Sequence, residues 1–178
     1  MRLLRITCLI AALFTASSAS AQKAARPDHF GDAMEWALPL AAAGWAVHEH
    51  DQEGLIQLGE SWATAEVAAE ALKRAVHDPR PTGSGHGFAS GHAASAFAAA
   101  GFLHQRYGLG VAVPAYVLAT ATAYSRVHTR HHYTRQVVVG AAVGLGSSAL
   151  FTRELGRGQQ AAFGAAPAGW AFSYSARF

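Results

Sequence analysis

An all-α bundle of about five apolar helices is the fold this sequence predicts. Three observations lead there. Hydrophobic residues make up 51% of the 178 and charged residues 14%, against the ~25% charged that is usual for a soluble domain. Apolar stretches of helical length recur between polar or Pro/Gly breaks at 79–81, Gly108 and 127–134. No period-two alternation precedes the C-terminus, and there is no internal repeat.

The first residues read as a targeting segment rather than as part of the fold. Arg2 and Arg5 form a positive n-region, residues 7–15 an apolar h-region, and Ala19-Ser20-Ala21 a small-x-small cleavage site. That is the pattern of a secretory signal peptide over residues 1–21. An uncleaved anchor is the competing reading, and the short h-region disfavours it. Cleavage would remove the sole cysteine, Cys8, so no disulfide could staple the mature fold. It would also remove two arginines, taking the formal charge from +3 to +1. A nearly neutral chain does not read as a nucleic-acid binder.

Residues 22–31 are polar, contain Pro27 and read as a linker. The spacing then predicts a first helix over about 32–47, kinked at Pro39. A second follows, capped by Asp51 with Glu53 in its first turn and running to about 76. Glu66, Glu70 and Lys73 give it one polar face. Pro79 and Pro81 end it, and a Gly/Ser loop leads to Ser90, which caps an Ala-rich third helix ending near Tyr107-Gly108. A fourth helix is expected over 109–124, a polar His-rich connection over 127–134, and a fifth helix over about 136–151. The domain is thus expected over 32–155. Residues 156–178 read as a Gly/Ala-rich tail whose alternating end, 170–178, predicts a short strand.

Three clusters carry chemistry: Lys73 with Arg80-Pro81, Ser90-Gly91-His92, and Ser125-Arg126 with His132. Helix parity returns all three to one end of the bundle. A phosphate ester presents three oxygens whose charge must be held as the phosphoryl group transfers. Arginine binds such oxygens bidentately and lysine adds a point charge. The N-terminus of the third helix offers the Gly91 and His92 N–H groups to an anion. One histidine can attack phosphorus and the other can protonate the leaving alcohol. This inventory requires no metal or other cofactor. His128, His131 and His132 could instead be metal ligands, since positions four apart share a helix face. No Cys, Asp or Glu lies nearby in sequence to complete such a set. His48, His50, His86 and His104 read as surface or loop residues, with His86 placed to touch a substrate.

The clusters resemble the signature of the type-2 phosphatidic acid phosphatase (PAP2) superfamily, which also includes bacterial acid phosphatases and vanadium haloperoxidases. The resemblance spans about residues 32–150 and keeps both the order of the clusters and the spacing within each. It implies that Lys73, Arg80 and Arg126 hold the phosphate and that Ser90 and Gly91 complete its cradle. It further implies that His92 is the general acid and His132 the nucleophile, forming a phosphohistidine. Gly140 falls where the family pattern places a glycine. Two positions depart from the pattern: Ala89 stands where proline is usual, and Gln136 where an aspartate orients the nucleophilic imidazole. A Gln carbonyl can still accept the ring N–H, but it carries no charge to stabilise an imidazolium. The comparable loss in a serine-protease triad is about 10⁴-fold.

The expected function is a metal-independent phosphatase acting on a phosphate monoester or diphosphate, on a lipid such as phosphatidate, phosphatidylglycerophosphate, a polyprenyl diphosphate or a lipid A phosphate. A catalytically impaired phosphate-binding module, suggested by Gln136, and a vanadium haloperoxidase are the alternatives. The expected location is the periplasm, or the inner membrane with the site facing the periplasm. Arg106, Arg153 and Arg157 would then lie on the cytoplasmic side. The sequence leaves the oligomeric state open.

Overall fold

The computed structural model describes residues 24–83 and 85–155, together with the backbone of 159–166 and 169–176. The signal-peptide expectation over 1–21 lies outside these residues. The described chain forms five helices and one hairpin: α1 His29–His48, α2 Gln52–Ala75, α3 Gly91–Tyr107, α4 Leu109–His128, α5 Thr134–Phe151, then β1 Gln159–Ala166 and β2 Gly169–Ala176.

The helix starts follow from caps. Asp51 accepts the Gly54 N–H at 2.8 Å and begins α2, and Ser90 caps α3 through the Ala93 N–H at 3.4 Å. Asp28 does the same for α1, accepting the Gly31 N–H at 2.9 Å. The chain is therefore helical from His29, and the end of the expected linker belongs to the fold. Asp32, in the first turn, suits the positive end of α1. α1 continues through Pro39, and α4 through Pro114. α4 also runs past the expected end at 124 to His128, into the expected connection over 127–134.

α3 is the central helix and touches each of the other four. Its composition explains why. Ala93, Ala94, Ala96, Ala98, Ala99 and Ala100 are all fully buried and let neighbouring backbones come close. The closest approach is to α5. A Cβ on Gly140 would collide with the Ser90 carbonyl oxygen and stand 3.2 Å from Ala93 Cβ. Gly144 meets the Ala94 carbonyl in the same way. These two glycines set α5 against the start of α3, where the third cluster must meet the second. Leu38 and Ala42 of α1, Leu58 of α2, Phe102 of α3 and Ala115 and Ala119 of α4 join the same core.

At the opposite end a buried ion pair closes the bundle. Arg106 grips Asp51 through Nε at 2.7 Å and Nη2 at 2.6 Å, and its Nη1 donates to the Arg153 carbonyl at 3.0 Å. Arg106 is thus a buried structural cation rather than a free interfacial one. No helix among the described residues is long and apolar enough to cross a membrane. The expected C-terminal strand has a partner. β2 pairs antiparallel with β1, from Gln159 opposite Ala176 to Ala166 opposite Gly169, so the Gly/Ala-rich stretch supplies a strand of its own.

Candidate active site

The three clusters meet at one end of the bundle, around the N-terminus of α3. Lys73 reaches it from the last turn of α2. A Cβ on Gly91 would stand 3.4 Å from Lys73 Nζ, 3.5 Å from Glu66 Oε2 and 4.0 Å from Glu35 Oε1. The Gly91 backbone thus lies against the Lys73 ammonium and two carboxylates. Because Ser90 Oγ takes the Ala93 N–H, the Gly91 and His92 N–H groups remain at the open end of the helix.

Arg126, buried near the end of α4, donates from Nη1 to Asp28 Oδ2 at 3.1 Å and to Asp32 Oδ1 at 2.7 Å. His92 shares the second of these carboxylates. Its Nε2 lies 3.0 Å from Asp32 Oδ1 and 3.3 Å from Glu35 Oε2, so Nε2 carries the proton it shares with them. Burial, and then the Arg126 charge, lower the His92 pKa, while Glu35 and Asp32 hold it up. An arriving phosphate anion would add to the raising side. The Nε atoms of Arg80 and Arg126 are both buried with no hydrogen-bond partner among the described residues. Burying a guanidinium N–H without an acceptor is costly.

His132 sits just beyond α4, 3% exposed. Its Nδ1 lies 3.0 Å from the Gly87 carbonyl and 3.2 Å from Gln136 Oε1. Both partners are acceptors, so Nδ1 carries the proton and Nε2 keeps its lone pair. Burial, and next the Arg80 charge, push the His132 pKa down to about 3. The ring is neutral across the physiological range, as a nitrogen nucleophile must be.

Gln136, fully buried, accepts from the Tyr133 N–H at 3.1 Å and donates to Asp78 Oδ2 at 2.9 Å and the Pro79 carbonyl at 3.0 Å. Asp78 is held in turn by Arg135, with bonds of 3.0 and 2.6 Å. Gly87 allows this close packing, since a Cβ there would strike the Gln136 amide.

All eight residues singled out from the sequence, Lys73, Arg80, Ser90, Gly91, His92, Arg126, His132 and Gln136, therefore share this end of the molecule. The three clustered histidines part company. His128 stacks on Tyr124 at 5.7 Å, and His131 Nδ1 pairs with Thr129 Oγ1 at 2.9 Å. Among the described residues no three His, Cys, Asp or Glu side chains are arranged to hold a metal ion. His86 lies edge-on to His77 at 5.2 Å. The sequence does not point to Asp28, Asp32, Glu35, Glu66 or Asp78 as site residues. Only Glu66 leaves a trace, two helical turns before Lys73 on the same face.

Glu66 has an unusual titration. Burial, and then the Glu35 charge, raise its carboxyl from 4.5 to about 7. The folded protein holds a proton there that the unfolded chain releases above 4.5. The stability this contributes is complete below 4.5 and is lost as pH rises through 7. Glu66→Gln should melt with wild type near pH 4.5 and a few degrees above it at pH 8. A difference in Tm that does not change with pH would contradict the shift.

The PAP2 superfamily model matches residues 82–157. The lipid A 4'-phosphatase of Helicobacter pylori is 32% identical over 137 residues, covering 70% of this chain and 69% of that protein. The chain belongs to the PAP2 superfamily. A second relative, decaprenylphosphoryl-5-phosphoribose phosphatase of Mycolicibacterium smegmatis, is 35% identical over 63% of this chain and 66% of its own length. The PAP2-type phosphatidylglycerolphosphate phosphatase of Bacillus subtilis, a transmembrane enzyme, shares the fold. Its crystal structure aligns at a TM-score of 0.57 and 23% identity, over 84% of this chain and 91% of that one.

Proposed function

We propose that this PAP2 phosphatase hydrolyses a lipid phosphate without metal, through a phosphohistidine on His132. The observation that carries the reading is the His132 ring, held with Nδ1 protonated and Nε2 bare beside two guanidinium groups with unsatisfied donors. In the first step the Nε2 lone pair attacks phosphorus, the P–N bond forms and the P–O bond to the alcohol breaks. His92, charged as the imidazolium, turns its Nε2 proton from Asp32 and Glu35 to the departing oxygen and is left neutral. In the second step His92 takes a proton from water, water oxygen attacks phosphorus, and the P–N bond breaks to release inorganic phosphate. Lys73, Arg80, Arg126 and the start of α3 carry the oxygen charge throughout.

A lipid substrate is supported by the relatives' substrates and by apolar surface that the bundle leaves uncovered. On α1, Trp36 is 57% and Leu40 68% exposed, and on α4 Leu109, Val113, Val117 and Tyr124 are exposed along the helix. Such a face suits contact with a membrane. Export and a periplasmic, membrane-associated site complete the proposal.

The second reading is a binding protein with an impaired site, and Gln136 favours it, since it brings no charge to the imidazole. One experiment decides between them. Phosphate release should be measured without metal from lipid and soluble phosphate esters, with wild type and Gln136→Asp. Wild type should turn over lipid phosphates, and Gln136→Asp should turn them over faster, by up to about 10⁴-fold. Specific binding with no release by either protein would overturn the enzymatic reading.

A further inference from the structure

We propose that Asp78 is a positioning residue for His132 and acts through the Gln136 amide. This rests on His132 being the nucleophile, and it supplies a carboxylate that sequence spacing places elsewhere.

An amide side chain can sit in two orientations related by a flip. Here four neighbours decide between them. On one side the Tyr133 N–H and His132 Nδ1 need an acceptor, and on the other Asp78 Oδ2 and the Pro79 carbonyl need a donor. Only Oε1 toward His132 and Nε2 toward Asp78 satisfies all four. Flipped, the amide would set N–H against the imidazole and favour the tautomer with Nε2 protonated, which has no lone pair for phosphorus. Asp78 supplies the charge-assisted bond that holds the productive orientation.

Asp78 is itself fixed. Arg135 binds both its oxygens, and its backbone carbonyl accepts the Gly87 N–H at 2.7 Å. The same Gly87 gives its own carbonyl to His132 Nδ1, so the loop after α2 brings the second acceptor to the ring. Arg135 balances the Asp78 charge, and its Nε shares Oδ2 with the Gln136 amide. When attack places positive charge on the ring, the polarised amide stabilises it, more weakly than an aspartate in direct contact.

The test has two readouts on the full-length protein. The first is the ¹⁵N spectrum of His132. Wild type should show Nδ1 protonated and Nε2 with the shift of an unprotonated ring nitrogen. Asp78→Ala should show mixed tautomers. The second is kcat and KM for phosphate release from a short-chain phosphatidate, in wild type and in Gln136→Asp backgrounds. In wild type Asp78→Ala should lower kcat about tenfold or more with KM little changed. In Gln136→Asp, where a carboxylate meets the ring directly, the same change should cost less than about threefold.

Equal losses in both backgrounds with an unchanged tautomer would mean a purely structural role and overturn the proposal. So would the absence of any loss, or a wild-type spectrum with Nε2 protonated. If Asp78→Ala does not fold, Asp78→Asn keeps an acceptor without the charge, and its smaller loss should show the same dependence on Gln136. Activity surviving in His132→Ala would remove the nucleophile assignment. The tautomer readout would still report whether Asp78 orients the ring.

Discussion

His132→Ala should release no phosphate, with kcat lower by about 10⁴-fold or more, the scale at which removing a nucleophile disables a catalytic unit. No neighbour can replace it. His92 carries a proton on Nε2 beside Asp32 and Glu35 and so offers no lone pair there, and His131 Nδ1 is paired with Thr129 Oγ1. The substitution should leave the fold intact. A buried neutral histidine whose pKa lies near 3 contributes nothing by ionising at neutral pH. Stability in wild type should fall as pH drops from 6.5 toward 3, because over that range the unfolded chain binds a proton that the folded ring refuses. His132→Ala should lose part of that dependence. Phosphate release together with circular dichroism checks both halves, and activity near the wild-type level would remove His132 from the mechanism.

Arg126→Ala should damage both catalysis and folding. The guanidinium is a phosphate ligand in the proposed mechanism, and loss of such a charge at the transition state is worth about 10²-fold or more in kcat/KM. It is also the cation between Asp28 and Asp32. Asp28 is buried and keeps its bonds to the Gly31 N–H and the Ser125 and Thr129 hydroxyls, but its charge would be uncompensated. Breaking one side of a buried pair costs about 3–5 kcal/mol, and the remaining bonds place this case near the lower end. Arg126→Lys should recover stability better than activity, since a point charge can face Asp28 and Asp32 but cannot fork onto phosphate oxygens. Urea unfolding and kcat/KM separate the two effects. Full activity in Arg126→Ala would mean that the arginine serves the fold alone.

What the sequence reveals and what it conceals follow from the range of the interactions. Asp51 and Ser90 are legible as caps because a cap is a local event, settled within four residues. The cations and imidazoles are legible because residue type and spacing identify an anion pocket before any contact is known. The carboxylates that hold them are not. Asp32 meets Arg126 from 94 positions away, and Asp78 meets Gln136 from 58. Nothing local distinguishes either from a solvated acid. The start of α1 is a different case. Pro27 and the polar residues around it suggest a linker, yet Asp28 with Asp32 in the following turn is a helix-start pattern. The polar end of α4 misleads in the opposite sense, because Arg126 finds its partners in α1 and the preceding cap while remaining helical. The first strand of the hairpin lies in Gly/Ala-rich sequence with no alternation to announce it, and only pairing with β2 defines it.

The most direct measurement of the central claim is a crystal structure of the protein with vanadate, which adopts the five-coordinate geometry of phosphoryl transfer. Vanadium should be bonded to His132 Nε2, with its oxygens in hydrogen-bond reach of Lys73, Arg80, Arg126 and the Gly91 and His92 N–H groups, and with His92 Nε2 facing the oxygen opposite His132. Vanadate bound elsewhere on the molecule, or in this pocket with His132 Nε2 turned away from it, would contradict the account.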